Sequence, residues 1–157
     1  MVAEIKAILE TVSDPEIPVL SVLDLGVVRN MSKEGDAVTI QLTPTYNGCP
    51  AVDAMSMSIK LALLSAGYKT VHIETVLSPA WTSDWISDEG KQKLKAYGIA
   101  PPIGKSLYPE DMENLTPPCP QCGSEETTLV SAFGSTACKA LFRCISCKEP
   151  FDYFKCH

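Results

Sequence analysis

The chain has 157 residues, 45% of them hydrophobic and 20% charged, with a formal net charge of −6 at pH 7. That length holds one ordinary domain, or a smaller one joined to a metal-stapled module. The composition is that of a folded soluble protein and excludes a disordered chain, and the acidic excess argues against nucleic acid as a partner.

Residues 1–6 lack the basic flank and cleavage site of a signal peptide, so a cytoplasmic protein is the expectation. The spacing predicts a short amphipathic helix over 3–12, with Ile5, Ile8, Leu9 and Val12 on one face. The segment Ser13-Asp14-Pro15-Glu16-Ile17-Pro18 ends it, because proline disfavours helical geometry in the residue before it. Asp14 and Glu16 are then carried on a stiff loop, as solvated charges or as fixed ligands or hydrogen-bond partners at a site. Strands are expected over 25–31 and 37–43, joined by the loop 32–36 as a hairpin.

The stretch 43–51, Thr-Pro-Thr-Tyr-Asn-Gly-Cys-Pro-Ala, then leads into a helix whose apolar residues Met55, Ile59, Ala62, Leu63 and Ala66 recur at helical spacing up to Gly67. Pro50 suits the first helical position, since its missing N–H would be an orphan there. Cys49 is thereby placed at or beside the N-cap. Unpaired backbone N–H groups and the helix dipole favour a thiolate at such a place. A buried cysteine acting as a small hydrophobe is the alternative. Segment 51–66 is too short and carries Asp53 and Lys60, so no membrane span is expected.

A third strand is expected over 70–77, with Val71 and Ile73 inward and His72 and Glu74 on the polar face. The element order indicates an α+β fold, a small mixed sheet with helices on one face. Both tryptophans, Trp81 and Trp85, fall in the loop 78–85, as packing anchors or as a partner surface. A polar helix over 84–97 should stop at Gly98, and 99–118, with five prolines, reads as a semi-rigid linker.

Six of the seven cysteines lie in the last 39 residues, a pattern for metal binding in a reducing compartment and not for a disulfide framework. Cys119-Pro-Gln-Cys122 and Cys144-Ile-Ser-Cys147 are two knuckles 21 residues apart, with ribbon strands expected at 127–133 and 140–143. Two such turns facing each other make a tetrahedral four-thiolate site of zinc-ribbon type. The zinc expected there is structural, since four thiolates leave no open position; a rubredoxin-like iron would use the same geometry. Segment 119–157 has four bases and four acids, the wrong balance for a nucleic-acid-binding ribbon. Cys138 reads as core or exposed thiol, while Cys156 and His157 close the chain. The expected plan is an α/β domain at 1–98, the linker 99–118 and the ribbon 119–157.

Asp14-Pro15-Glu16, Asp24-Leu25-Gly26-Val27-Val28 and Thr45 through Cys49-Pro50 resemble the metal–sulfur cluster assembly domain family. Residues 79–87 (Pro-Ala-Trp-Thr-Ser-Asp-Trp-Ile-Ser), 97–102, 133–140 and 149–155 resemble, more closely, the branch of it that accompanies bacterial phenylacetyl-CoA epoxidase systems. The resemblance implies an accessory factor, without catalytic activity of its own, that installs or repairs a metal centre in aerobic phenylacetate degradation. It implies Cys49, Asp14, Glu16 and Thr45 as residues that handle iron or a transient iron–sulfur cluster. The implied partners are the catalytic di-iron subunit or the reductase, with a homodimer left open. A non-catalytic structural subunit of the epoxidase is the alternative. A thiol enzyme would need a base beside Cys49, and only His72 and His157 exist.

Overall fold

The structure, a computed structural model, describes residues 2–46, 48–103, 112–136 and 138–154. Cys156, His157 and the middle of the expected linker lie outside the described residues. The chain divides into two compact units, Met1–Gly90 and Lys91–His157.

In the first unit, α1 (Val2–Leu9) buries Ile5 and Leu9, as the spacing predicts, but gives way to a turn before Val12. Asp14 N–H donates to the Leu20 carbonyl and Val22 N–H to that of Val12, so the proline-rich loop is closed on itself by a short bridge. The hairpin follows, β1 (Val28–Glu34) and β2 (Ala37–Leu42), paired antiparallel from Val28↔Leu42 to Glu34↔Ala37. Its loop is the two residues Gly35-Asp36, shorter than expected, because Ser32, Lys33 and Glu34 extend β1 along its polar, exposed face. At the other end Leu25, Gly26 and Val27 precede β1 and do not belong to it. Gly26 has φ +76°, and a Cβ there would overlap the Trp85 backbone, so the chain turns where the alternation suggested a strand.

Helix α2 (Ala51–Ser65) buries Ala51, Met55, Ile59 and Leu63, one residue per turn, and ends in a Schellman motif. There Gly67 N–H donates to Leu64 and Tyr68 N–H to Leu63. Strand β3 (Thr70–Thr75) then pairs parallel to β2. The mixed sheet has the order β1-β2-β3, with α1 packed on β1 and α2, and α2 also packed on β3. Val38, Ile40 and Leu42 of the central strand are almost fully buried.

The single helix expected over 84–97 is two pieces. A 3₁₀ turn, Ser83–Trp85, is capped by Thr82, whose hydroxyl accepts from Asp84 N–H at 3.3 Å. Ile86 is extended and buried, which breaks the helical path. Ser87 then caps α3 (Asp88–Tyr97) by accepting from Gly90 N–H at 2.9 Å.

The second unit is a four-stranded sheet of order β4-β7-β6-β5: β4 (Ile99–Ala100), β5 (Thr127–Ser131), β6 (Lys139–Cys144) and β7 (Pro150–Phe154). Two of these strands were not expected. β7 opens with a proline as its first residue, where a missing donor is tolerated, and lays Phe151 and Tyr153 into the core. β4, from the stretch expected as linker, pairs parallel with β7 through Ile99↔Asp152 and Ala100↔Tyr153. Phe142 stacks on Phe151 and meets Tyr153 edge-on. The Tyr153 hydroxyl accepts from Ile103 N–H at 2.9 Å.

Candidate functional site

Chemistry-bearing side chains gather at two places, one in each unit. In the first, the strand-to-helix turn holds Cys49 one residue before Pro50, which occupies the N-cap of α2. Cys49 N–H donates to the Tyr46 carbonyl at 3.2 Å, and its own carbonyl accepts from Val52 N–H at 3.3 Å. The thiol is 9% exposed, and the Thr45 hydroxyl donates to its sulfur at 3.9 Å. Cys49 opens on a pocket of about 510 Å³, walled by Pro44, Pro50, Val52, Asp53, Thr75 and Leu77. Nearby in sequence, Thr43 is buried, and its hydroxyl has no hydrogen-bond partner among the described residues.

Asp14 does not behave as a solvated loop charge. It is 5% exposed, and one carboxylate oxygen accepts from the N–H groups of both Glu16 and Ile17 at 2.7 Å. Glu16 is half-buried on the same loop. The structure thus brings Thr45 to Cys49, while Asp14 shapes the loop that presents Glu16.

Asp24 carries a similar duty that sequence reasoning had not assigned. Asp24 and Ser21 each accept from the other's N–H at about 3 Å, and the Ser87 hydroxyl donates to Asp24 at 3.2 Å. Its signal was Ser21, three residues before it, the spacing of a reciprocal side-chain cap.

The tryptophans separate. Trp81 is 3% exposed and its indole N–H donates to the Leu25 carbonyl at 2.9 Å, so it is a packing anchor. Trp85 is half-buried, with the Arg29 guanidinium 3.5 Å above its ring. Of the two residues considered for a partner surface, Trp85 is the one that reaches solvent. His72 is exposed and lines a different pocket, with Lys60 and Met57.

The second place is the thiol cluster of the ribbon. The sulfurs of Cys119, Cys122, Cys144 and Cys147 all lie within 4.8 Å of one another, with Cys119–Cys147 at 3.8 Å and Cys122–Cys144 at 3.5 Å. A tetrahedron with metal–sulfur bonds of about 2.3 Å has its sulfurs about 3.8 Å apart, so the donor set fits one tetrahedral ion. The two knuckles match in backbone as well. Each is followed by a residue of positive φ, Gly123 at +77° and Lys148 at +70°. Gly123 N–H donates to the Cys119 carbonyl and Lys148 N–H to that of Cys144.

The Cys147 N–H donated to its sulfur draws Cys144 down to about 7. The Glu149 N–H pulls Cys147 down, but burial and the sulfurs of Cys144, Cys122 and Cys119 together push it up to about 12. Sulfurs this close share charge poorly unless a cation lies among them, so metal uptake releases protons. Cys138 is buried, with its sulfur 3.0 Å from the Thr136 hydroxyl. No helix among the described residues is long and apolar enough to cross a membrane.

Two families match the chain, each over one part. Residues 2–74 match the iron-sulfur cluster assembly protein family and residues 106–155 the PaaD zinc beta ribbon domain. The chain is 50% identical to a putative 1,2-phenylacetyl-CoA epoxidase subunit of Escherichia coli K12, over 99% of its own length and 93% of that relative's. It is 38% identical to an Fe-S protein maturation auxiliary factor of Porphyromonas gingivalis, over 58% of this chain and 88% of that one. Among solved structures, a domain of unknown function (DUF59) from Bacillus anthracis superposes with a TM-score of 0.55 at 26% identity, covering 59% of this chain and 89% of that one.

Proposed function

The chain belongs to the PaaD family, and on that premise we propose that it matures a metal centre of a phenylacetyl-CoA ring epoxidase in aerobic phenylacetate degradation. The observation that carries this reading is the setting of Cys49: a thiol beside a helix start, hydrogen-bonded by Thr45 and opening on a pocket. Such a thiol gives a passing iron ion or cluster one ligand, and a single ligand is readily exchanged for those of a client. In this reading Glu16 meets the incoming metal and Asp14 holds the loop that presents it. The client is the catalytic di-iron subunit or the reductase, and Trp85 with Arg29 forms part of the surface that meets it.

The four-cysteine cluster has another duty. All four positions of its tetrahedron are taken by thiolates, so its metal, zinc in this reading, holds the ribbon together and handles no cargo. A thiol-enzyme reading has no histidine base at Cys49 among the described residues, because His72 lines a pocket other than that of Cys49.

The test is made in a phenylacetate-degrading host. Deletion of this chain, or Cys49→Ser, is expected to abolish growth on phenylacetate, with the client present but poor in iron. Reconstitution of that client with iron, and with sulfide for the reductase, should restore turnover without this protein. The name of the Escherichia coli relative favours a second reading, a structural subunit of the epoxidase. Fully metallated clients whose activity returns only when this protein is added would establish that reading and remove ours.

A further inference from the structure

We propose that the outer face of α2 is a docking surface for a second copy of this chain, met antiparallel across a two-fold axis. The face opposite the buried Met55 and Ile59 carries Met57, Leu61 and Leu64, which are 58%, 56% and 39% exposed. Single exposed apolar side chains are ordinary, but three at i, i+4 and i+7 make a continuous stripe.

The charges on the stripe say what covers it. Asp53 and Lys60 stand seven residues apart on the same face, two helical turns, and both are exposed. Neither has an ion-pair partner among the described residues. A two-fold axis passing beside α2, perpendicular to it and level with Met57, sets Asp53 of each copy against Lys60 of the other. The same operation puts Met57 on Met57 and brings Leu64 of one copy level with Pro50 of the other. A contact of this kind is isologous, using one patch twice, and the stripe carries both halves of each charge pair.

The experiment measures mass by analytical ultracentrifugation on the full, metal-loaded chain at micromolar concentration. The wild type is expected to sediment as two 17.0 kDa chains. Asp53→Lys and Lys60→Asp each place like charges opposite one another twice, and should raise the dimer dissociation constant at least about tenfold. The double exchange, Asp53→Lys with Lys60→Asp, should restore the dimer. Both positions are exposed, and unchanged circular dichroism and metal content would show that the fold survives. A monomeric wild type would overturn the proposal, whether or not Met57→Asp lost a client in pull-down. So would a dimer indifferent to the single reversals, or a double exchange that fails to re-form it.

Discussion

Asp14 is the residue at which stability and function are most easily confused. Its carboxylate holds two backbone N–H groups on the loop that carries Glu16, so a loss of activity on mutation need not report a metal ligand. Asp14→Ala is expected to destabilise the first unit by about 2 kcal/mol, since it orphans buried donors. Asp14→Asn keeps an acceptor and should cost about half of that. Urea unfolding separates the two, and an Asn variant that is stable but inactive would assign the charge itself to metal handling. Gly26 is a second position of this kind. Its φ of +76° and the Trp85 backbone against it leave no room for a methyl group. Gly26→Ala should therefore cost more than about 3 kcal/mol, read as a lowered urea midpoint.

The elements were legible to the degree that their pattern depended on one buried face. β2 buries Val38, Ile40 and Leu42 and α2 buries Met55, Ile59 and Leu63, as their periodicity named, because each packs one side against the core; Ala62 is half-buried and Ala66, at the C-cap, is exposed. β1 was displaced, because Leu25 and Val27 of the apolar run are buried through a turn and the polar, largely exposed run after it pairs with β2 instead. β7 went unread because its five residues begin with proline and sit between a cysteine knuckle and the final residues. β4 has only two residues and forms because β7 offers an edge far along the chain.

The tryptophan loop shows the same limit: its sequence places two rings together, and only the fold decides which one points inward. Trp81→Ala would open a cavity and orphan the Leu25 carbonyl, costing about 4 kcal/mol. Trp85→Ala should cost about 1 kcal/mol or less, since its ring is half-buried and its contact with Arg29 lies near solvent. Recovery of epoxidase subunits in pull-down is thus informative for Trp85→Ala and for Arg29→Ala, while Trp81→Ala reports on folding. Undiminished recovery with both of the former variants would leave the loop no role at a partner surface.

At the scale of the whole molecule, two units with separate sources of cohesion should respond separately to loss of metal. The first packs aliphatic helices on a mixed sheet; the second buries Phe142, Phe151 and Tyr153 beside its thiol cluster. A strong chelator at neutral pH is expected to lower only the melting transition of residues 91–157, in calorimetry that resolves two transitions for the loaded chain. Loss of both transitions together would show that the first unit cannot stand without the second. Metal analysis of the same sample should give about one zinc per chain, the stoichiometry of one four-thiolate site.

The pairing of β4 with β7 bears on the order of events during synthesis. Ile99 leaves the ribosome 53 residues ahead of Asp152, its partner in the sheet. By then the first unit has been free to fold, whereas β4 must wait for the strand that shields its backbone. The Cys119 knuckle likewise emerges well before the Cys144 knuckle and meets metal at first with half its ligands. A nascent chain arrested after Cys147 would own all four clustered thiolates but not β7. Ion capture by the ribbon is therefore expected to become durable only after the last strand has been translated, a sequence that pulse-labelled chains released at Cys147 and at Phe154 would reveal in their resistance to protease.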